Sequence, residues 1–168
     1  MTLSYELIIY ISSFCCNKES LYIAISSKTI YDLIKKKGFA KYISFDGSKN
    51  NDIFLFVKNA LFHSKSLNTI YITKLIDAHI WLPLICWVDN VYLIDCLIKS
   101  NINLNGHVST KFLKIVNSSK KHIEINFQMF PELEIFKYSG KLFNFGDNIY
   151  KYCTNIRKIE LKKLYELS

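Results

Sequence analysis

The feature that most limits what this chain can fold into is an apolar spacing that recurs at nearly constant intervals. Val88-x-x-Val91-x-Leu93-x-x-Cys96-x-Ile98 fills every slot of the repeat template L-x-x-L-x-L-x-x-[N/C]-x-L, in which one strand and one return leg form a unit that stacks on its neighbours. Leu67-x-x-Ile70-x-Ile72 begins 21 residues before Val88. The spacing returns in Phe130-x-x-Leu133-x-Ile135 and, 26 residues on, in Ile156-x-x-Ile159-x-Leu161-x-x-Leu164, while a weaker start, Ala40-x-x-Ile43-x-Phe45, precedes Leu67 by 27. The 42 residues from Val88 to Phe130 leave room for one more unit between Asn101 and Phe127. There Phe112-Leu113-Lys114-Ile115-Val116 reads either as its strand or, capped by Ser109, as a helix leading to Ile123-Glu124-Ile125. Helical spacing of Phe54, Val57, Ala60 and Leu61 within Asp52 to Ser64, and a shorter candidate over Asp147 to Cys153, fill the gaps between runs. That alternation predicts a parallel strand ladder with helices outside.

The first forty residues follow a different period. Ser4 can cap a helix from Tyr5 to Phe14 carrying Leu7, Ile8, Ile11 and Phe14, with Glu6 in the first turn where the helix dipole favours an anion. Asn17 can cap a second helix carrying Leu21, Ala24 and Ile25. Ser27 can cap a third carrying Ile30, Leu33 and Ile34, which stops at Lys35-Lys36-Lys37 followed by Gly38. Three helices of about ten residues cannot bury all these stripes against one another, so a partner or the rest of the chain must cover the remainder.

Leu3-Ser4-Tyr5-Glu6-Leu7, followed by Ile11, Phe14, Leu21 and Ser26-Ser27-Lys28, resembles the F-box over roughly residues 3 to 38. It departs from that pattern at Ser4, where the family usually has proline, and at Cys15-Cys16-Asn17-Lys18-Glu19. The later runs resemble the irregular leucine-rich repeats that often follow an F-box. Together these set the expected fold class: α/β, an N-terminal three-helix F-box-like module (1–38) followed by a short irregular leucine-rich-repeat-like solenoid (39–168), preferred over a closed α/β sheet. The resemblance implies a non-catalytic adaptor of an SCF-type ubiquitin ligase. Its F-box would dock on a Skp-type adaptor of the cullin complex through Leu3, Ser4, Glu6, Leu7, Ile11, Phe14, Leu21 and Lys28, and its repeats would capture a protein substrate. The alternative is a stand-alone repeat scaffold with no ligase link, whose helical start is only a cap.

Composition narrows the other classes. The chain has 168 residues, half of them hydrophobic, which suffices for one packed domain or two small ones and excludes a disordered chain. Its net charge of +8 comes almost entirely from lysine, Arg157 being the sole arginine, and the wealth of Lys, Ile, Asn, Tyr and Phe matches AT-rich coding, as in a large DNA virus or an AT-rich unicellular eukaryote. Lysine lacks the planar fork that reads bases, so nucleic-acid binding is not expected. Five cysteines without C-x-x-C spacing, no basic n-region at the N-terminus, and carboxylates at Asp77, Asp89 and Asp95 inside the longest apolar stretch point to a reducing cytoplasmic or nuclear setting without a membrane span. His63, His79, His107 and His122 share no metal-ligand spacing, and no phosphate loop or nucleophile elbow is present, so no cofactor, metal or catalytic residue is expected. Cys15-Cys16 reads as a packed face and a rim rather than a reactive pair.

Side chains alternate along a strand, so the residues between apolar slots should share one surface. In the frame above these are Tyr71, Thr73 and Lys74, then Tyr92, Ile94 and Asp95, then Glu134, Phe136 and Lys137, then Lys158, Glu160 and Lys162. Aromatics among mixed charges suit a protein-binding face, and Tyr71, Lys74, Tyr92, Asp95, Glu134, Phe136, Lys158 and Glu160 are its expected contacts.

Overall fold

The strand-forming runs become six strands: β1 (Tyr42–Asp46), β2 (Thr69–Thr73), β3 (Asn90–Ile94), β4 (Phe112–Asn117), β5 (Ile135–Gly140) and β6 (Lys158–Lys163). Helices α1 (Tyr5–Ser12) and α2 (Lys28–Lys37) precede β1, and α3 (Ile53–Phe62), α4 (Ala78–Ile85), a 3₁₀ turn over Phe127–Met129 and α5 (Asn148–Tyr152) lie between strands. The computed structural model describes residues 4–12, 22–23, 25–37, 40–49, 52–85, 87–97, 109–118, 125, 127–140 and 148–163. The strands form one sheet in the order β1-β2-β3-β4-β5-β6, and the pairs from β2 to β6 are all parallel. Phe112-Leu113-Lys114-Ile115-Val116 is a strand, which resolves the ambiguity left by the sequence.

This architecture corrects the expected one. The chain is an α/β fold organised around a six-stranded parallel sheet, not a three-helix F-box-like module followed by a leucine-rich-repeat-like solenoid. A recurring spacing specifies which strands lie side by side and which faces they bury. It does not specify identical return legs, and these differ from ten helical residues in α3 to a 3₁₀ turn before β5.

By contacts the chain divides into two units, Met1–Ile43 with Asp52–Asn68, and Ser44–Asn51 with Thr69–Ser168. In the first, the Ser4 hydroxyl accepts from the Leu7 N–H at 3.3 Å and its carbonyl accepts from Leu7 and Ile8 at 3.1 Å, which starts α1. Ser27 starts α2 in the same way through its carbonyl, bonded to the Tyr31 N–H at 2.9 Å. Buried Ile30 is packed by Ile8, Ile23, Tyr31 and Phe62, with the Tyr31 and Phe62 rings 5.0 Å apart. The Asp52 carboxylate caps α3 by accepting from the Phe54 N–H at 2.8 Å, and Phe56, Val57 and Ala60 are buried.

In the second unit two apolar rows run straight across the strands. Ile70, Val91, Leu113 and Phe136 form one, and Ile72, Leu93, Ile115 and Tyr138 the other, each buried and each paired with the next in register. Full burial of such side chains contributes roughly 1.5–3 kcal/mol apiece. The rows end at β6, where Ile159 is half-buried and Leu161 exposed. Phe127 closes edge-on against Phe136 at 5.3 Å, and Met129, Phe130, Leu133, Ile149 and Cys153 complete the core. The Cys96 thiol, in the template's cysteine slot, donates to the Ile72 carbonyl at 3.4 Å.

The turns leaving the strands are alike. The N–H groups of Gly47, Lys74 and Asp95 donate to the carbonyls of Thr73, Ile94 and Val116 at 2.7, 2.8 and 2.7 Å. A Cβ on Gly47 would lie 2.8 Å from the Leu75 Cα and the Lys74 carbonyl oxygen, so only glycine fits there. Lys74 and Asp95 hold positive φ of 53° and 52°, a strain that Asp95 offsets by accepting from the Ser118 N–H and hydroxyl at 2.6 and 2.7 Å.

Phe136→Ala should therefore lower stability in urea unfolding by about 3–5 kcal/mol, whereas its neighbour Lys137→Ala should change it by no more than about 1 kcal/mol. Comparable effects at the two positions would contradict this assignment of faces.

Candidate functional site

The face of β2 to β6 opposite the apolar rows is half-exposed and carries three rows of its own. Tyr71, Tyr92, Lys114, Lys137 and Glu160 are register partners in the central one. Thr69, Asn90, Phe112, Ile135 and Lys158 flank it on one side, and Thr73, Ile94, Val116, Ser139 and Lys162 on the other. Tyr71 and Tyr92 stack with ring centroids 4.4 Å apart and planes inclined by 24°, and the Phe112 ring follows at 5.2 Å. Aromatic pairs of this kind add about 0.5–1.5 kcal/mol beyond the area they bury. Burial, and secondarily the Tyr71 hydroxyl beside it, push the Tyr92 phenol above its ordinary value, so it stays a neutral hydrogen-bonding group.

The aromatic strip passes directly into charge. The Lys137 ammonium lies 5.9 Å from the Phe112 ring centroid and 2.7 Å from Glu160, which also meets Lys158 at 2.6 Å. Those two hydrogen-bonded lysines hold the Glu160 carboxyl down at about 2.

A second charged column lies where the strands begin. Successive positions Asp89, Lys111, Glu134 and Arg157 alternate in sign, Lys111 pairing with Asp89 at 3.7 Å and Arg157 with Glu134. Their backbones are bonded in series: Lys111 and Phe112 donate to the Asp89 carbonyl at 2.9 Å, Glu134 to Lys111 at 2.8 Å, and Arg157 to Glu134 at 2.8 Å. The sequence reading missed this column. Opposite charges recurring 22 to 23 residues apart were its visible signal, the spacing also seen in the Ser109–Trp87 and Asn155–Glu132 bonds.

Of the residues expected on the protein-binding face, Tyr71, Tyr92, Lys158 and Glu160 are there. Phe136 is not: it is fully buried in the core row between Leu113 and Ile159. The frame starting at Phe130 was three residues out, since Leu133, Phe136 and Tyr138 occupy the slots, and an odd slip exchanges the two faces of a strand. Lys74 and Asp95 sit in the turns after β2 and β3, and Glu134 belongs to the charged column. Lys114, which the frame did not include, stands at the centre of the face.

Among the expected docking residues of the first unit, Leu7 and Ile11 of α1 are 43% and 44% exposed, with Tyr10 beside them at 63%. Ser4 and Lys28 are exposed. Leu3, Phe14 and Leu21, and the side chain of Glu6, lie outside the described residues. The same unit holds a cleft of about 300 Å³ lined by Ile25, Tyr31, Leu55, Leu61 and Phe62, with Lys58 and Asn59 at its polar side.

Nucleophile chemistry finds little support in these side chains. Burial pushes the Cys96 thiol up and the Cys153 thiol to about 11, so neither supplies a thiolate near neutral pH. Burial lowers the pKa of His63, which is fully buried. Cys15, Cys16, Cys86, His107 and His122 lie outside the described residues. Among the described residues no group of three or more His, Cys, Asp or Glu side chains could hold a metal, and no helix is long and apolar enough to cross a membrane. Comparison with known protein families, curated proteins and solved structures found no match.

The Glu160 triad gives a direct test of the face's electrostatics. Its carboxyl ionises more readily folded than unfolded, so its contribution to stability is present above about 4.5 and is lost as pH falls towards 2. An NMR titration should place the Glu160 midpoint at about 2, and Lys137→Met should move it upward. A midpoint near 4.5 in the unaltered chain would show that the triad is not formed.

Proposed function

We propose that this chain is a non-catalytic protein-binding adaptor whose working surface is the half-exposed face of β2 to β6. The observation that carries the reading is the Tyr71–Tyr92–Phe112 row, its tyrosines stacked and the Phe112 ring tilted against them, running into Lys114, Lys137 and Glu160 on a hydrogen-bonded sheet. Tyrosine offers a large amphipathic contact area with few rotatable bonds, and here stacking has already restricted the rings before a partner arrives. Charges at one end of such a strip orient the partner and speed encounter more than they add affinity. The mechanism is tethering, which raises the local concentration of one protein near another.

The apolar Leu7, Tyr10 and Ile11 side chains exposed on α1 favour a more specific second reading. In it the N-terminal segment docks on a Skp-type adaptor of a cullin-RING ubiquitin ligase, and the sheet face holds the substrate.

One co-purification experiment addresses both. The tagged chain is compared with a Tyr71→Ser, Tyr92→Ser variant and a Leu7→Asp, Ile11→Asp variant, each confirmed folded by circular dichroism, against cell extract and a purified Skp-type adaptor. The adaptor reading expects a protein captured by the wild type and lost with the tyrosines. Capture indifferent to Tyr71 and Tyr92 would contradict it. The ligase reading expects stoichiometric Skp-type adaptor on the wild type and none on the Leu7, Ile11 variant, and no capture by the wild type would remove it.

A further inference from the structure

We propose that the partner of the sheet face is an acidic protein segment, with an aromatic or aliphatic side chain packed on the Tyr71–Tyr92–Phe112 strip and a carboxylate seated at Lys114. This deepens the reading of that face as a binding surface and rests on it. On β4 to β6 the face carries Lys114, Lys137, Lys158 and Lys162 against Glu160 alone. Glu160 pairs with both Lys137 and Lys158, one negative charge shared between two positive ones. Lys114 has no anionic partner among the described residues, and its register neighbours are Tyr92 and Lys137. The face around the register neighbours Lys114 and Lys137 therefore keeps a net positive charge, which an arriving carboxylate would offset.

The face already shows how it holds such a group. The Glu160 carboxylate is bound by two lysines at 2.7 and 2.6 Å, one a register neighbour on β5 and one two residues away on its own strand. A carboxylate entering beside Lys114 would meet the same kind of setting, Lys114 on β4 and Lys137 on β5, with the edge of the aromatic strip next to it. The apolar and acidic parts of the partner are therefore to be adjacent in its sequence.

A single-stranded nucleic acid would also be drawn to these lysines, but the rings are poorly arranged for it. Bases stack on free ring faces, and Tyr71 and Tyr92 are stacked on each other at 4.4 Å. Isolated ammonium groups moreover supply phosphate affinity without selecting bases.

The test is fluorescence anisotropy on the full chain with three labelled probes: a short peptide of alternating glutamate and phenylalanine, its glutamine counterpart, and an oligothymidylate of similar length. The glutamate peptide should bind, with the glutamine peptide several-fold weaker. Lys114→Glu should weaken it about tenfold and Lys114→Gln about fivefold, the second serving if the first fails to fold. Glu160→Gln should tighten binding by releasing Lys137 and Lys158, a gain that a merely structural role for these residues would not give. Equal affinity for the two peptides, indifference to both Lys114 variants, or tighter Lys114-dependent binding of the oligothymidylate would overturn the proposal. A chain that captures protein through Tyr92 yet ignores the glutamate peptide overturns this inference alone, whereas capture indifferent to Tyr92 overturns the reading beneath it.

Discussion

The burial of two apolar rows, Ile70–Val91–Leu113–Phe136 and Ile72–Leu93–Ile115–Tyr138, is the interaction on which the rest of this structure depends. Parallel strands cannot be joined by tight hairpins, so each return leg has to carry the chain back to the start of the next strand. What brings the strands into register is the common demand of these side chains for one side of the sheet. A slip of one residue would carry a whole row into solvent, at a cost of several kcal/mol for each strand displaced. The alternating column Asp89, Lys111, Glu134 and Arg157 favours the same register from the end where the strands begin. Its pairs are exposed and weak individually, so their value lies in opposing a shifted alignment, which would pull the opposite charges apart.

Once the apolar rows are fixed, the opposite face follows without further choice. Alternation sends Tyr71, Tyr92, Lys114, Lys137 and Glu160 outward and lines them up across five strands. The stacked tyrosines and the lysine-bound glutamate thus sit on a hydrogen-bonded lattice rather than on loops, which keeps a contact surface in place before a partner arrives. Stability and function are in this sense read from the two sides of the same strands.

Much of this was legible in the sequence because period-two alternation and a spacing of about twenty residues are strong signals. Ile70 and Ile72, Val91 and Leu93, and Ile159 and Leu161 occupy the slots their spacing indicated, Ser4 and Ser27 begin helices where caps were expected, and a helix fills the stretch from Asp52 whose spacing was helical. The frame of β5 was not legible. Phe130, Leu133, Phe136 and Tyr138 are all buried, so hydrophobicity alone fits two frames three residues apart. The difference is made by a turn after the 3₁₀ segment, in which the Phe130 and Leu133 N–H groups bond to the carbonyls of Phe127 and Phe130 at 3.0 and 3.1 Å. The larger architecture was misread for a related reason: a repeated spacing declares neighbours, and it is silent on the return legs that distinguish one parallel-stranded fold from another. Lys114 was overlooked because its strand could equally have been a helix.

Cysteine scanning along β5 tests the assignment of faces most directly, since both the core and the binding surface follow from it. Each of Ile135, Phe136, Lys137, Tyr138 and Ser139 is replaced in turn by cysteine, in a background whose labelling native cysteines have been changed to serine, and the rate of thiol alkylation is measured under native conditions. The expected result alternates, fast at Lys137→Cys and Ser139→Cys and slow at Phe136→Cys and Tyr138→Cys. The opposite phase, or uniform rates along the strand, would contradict the account.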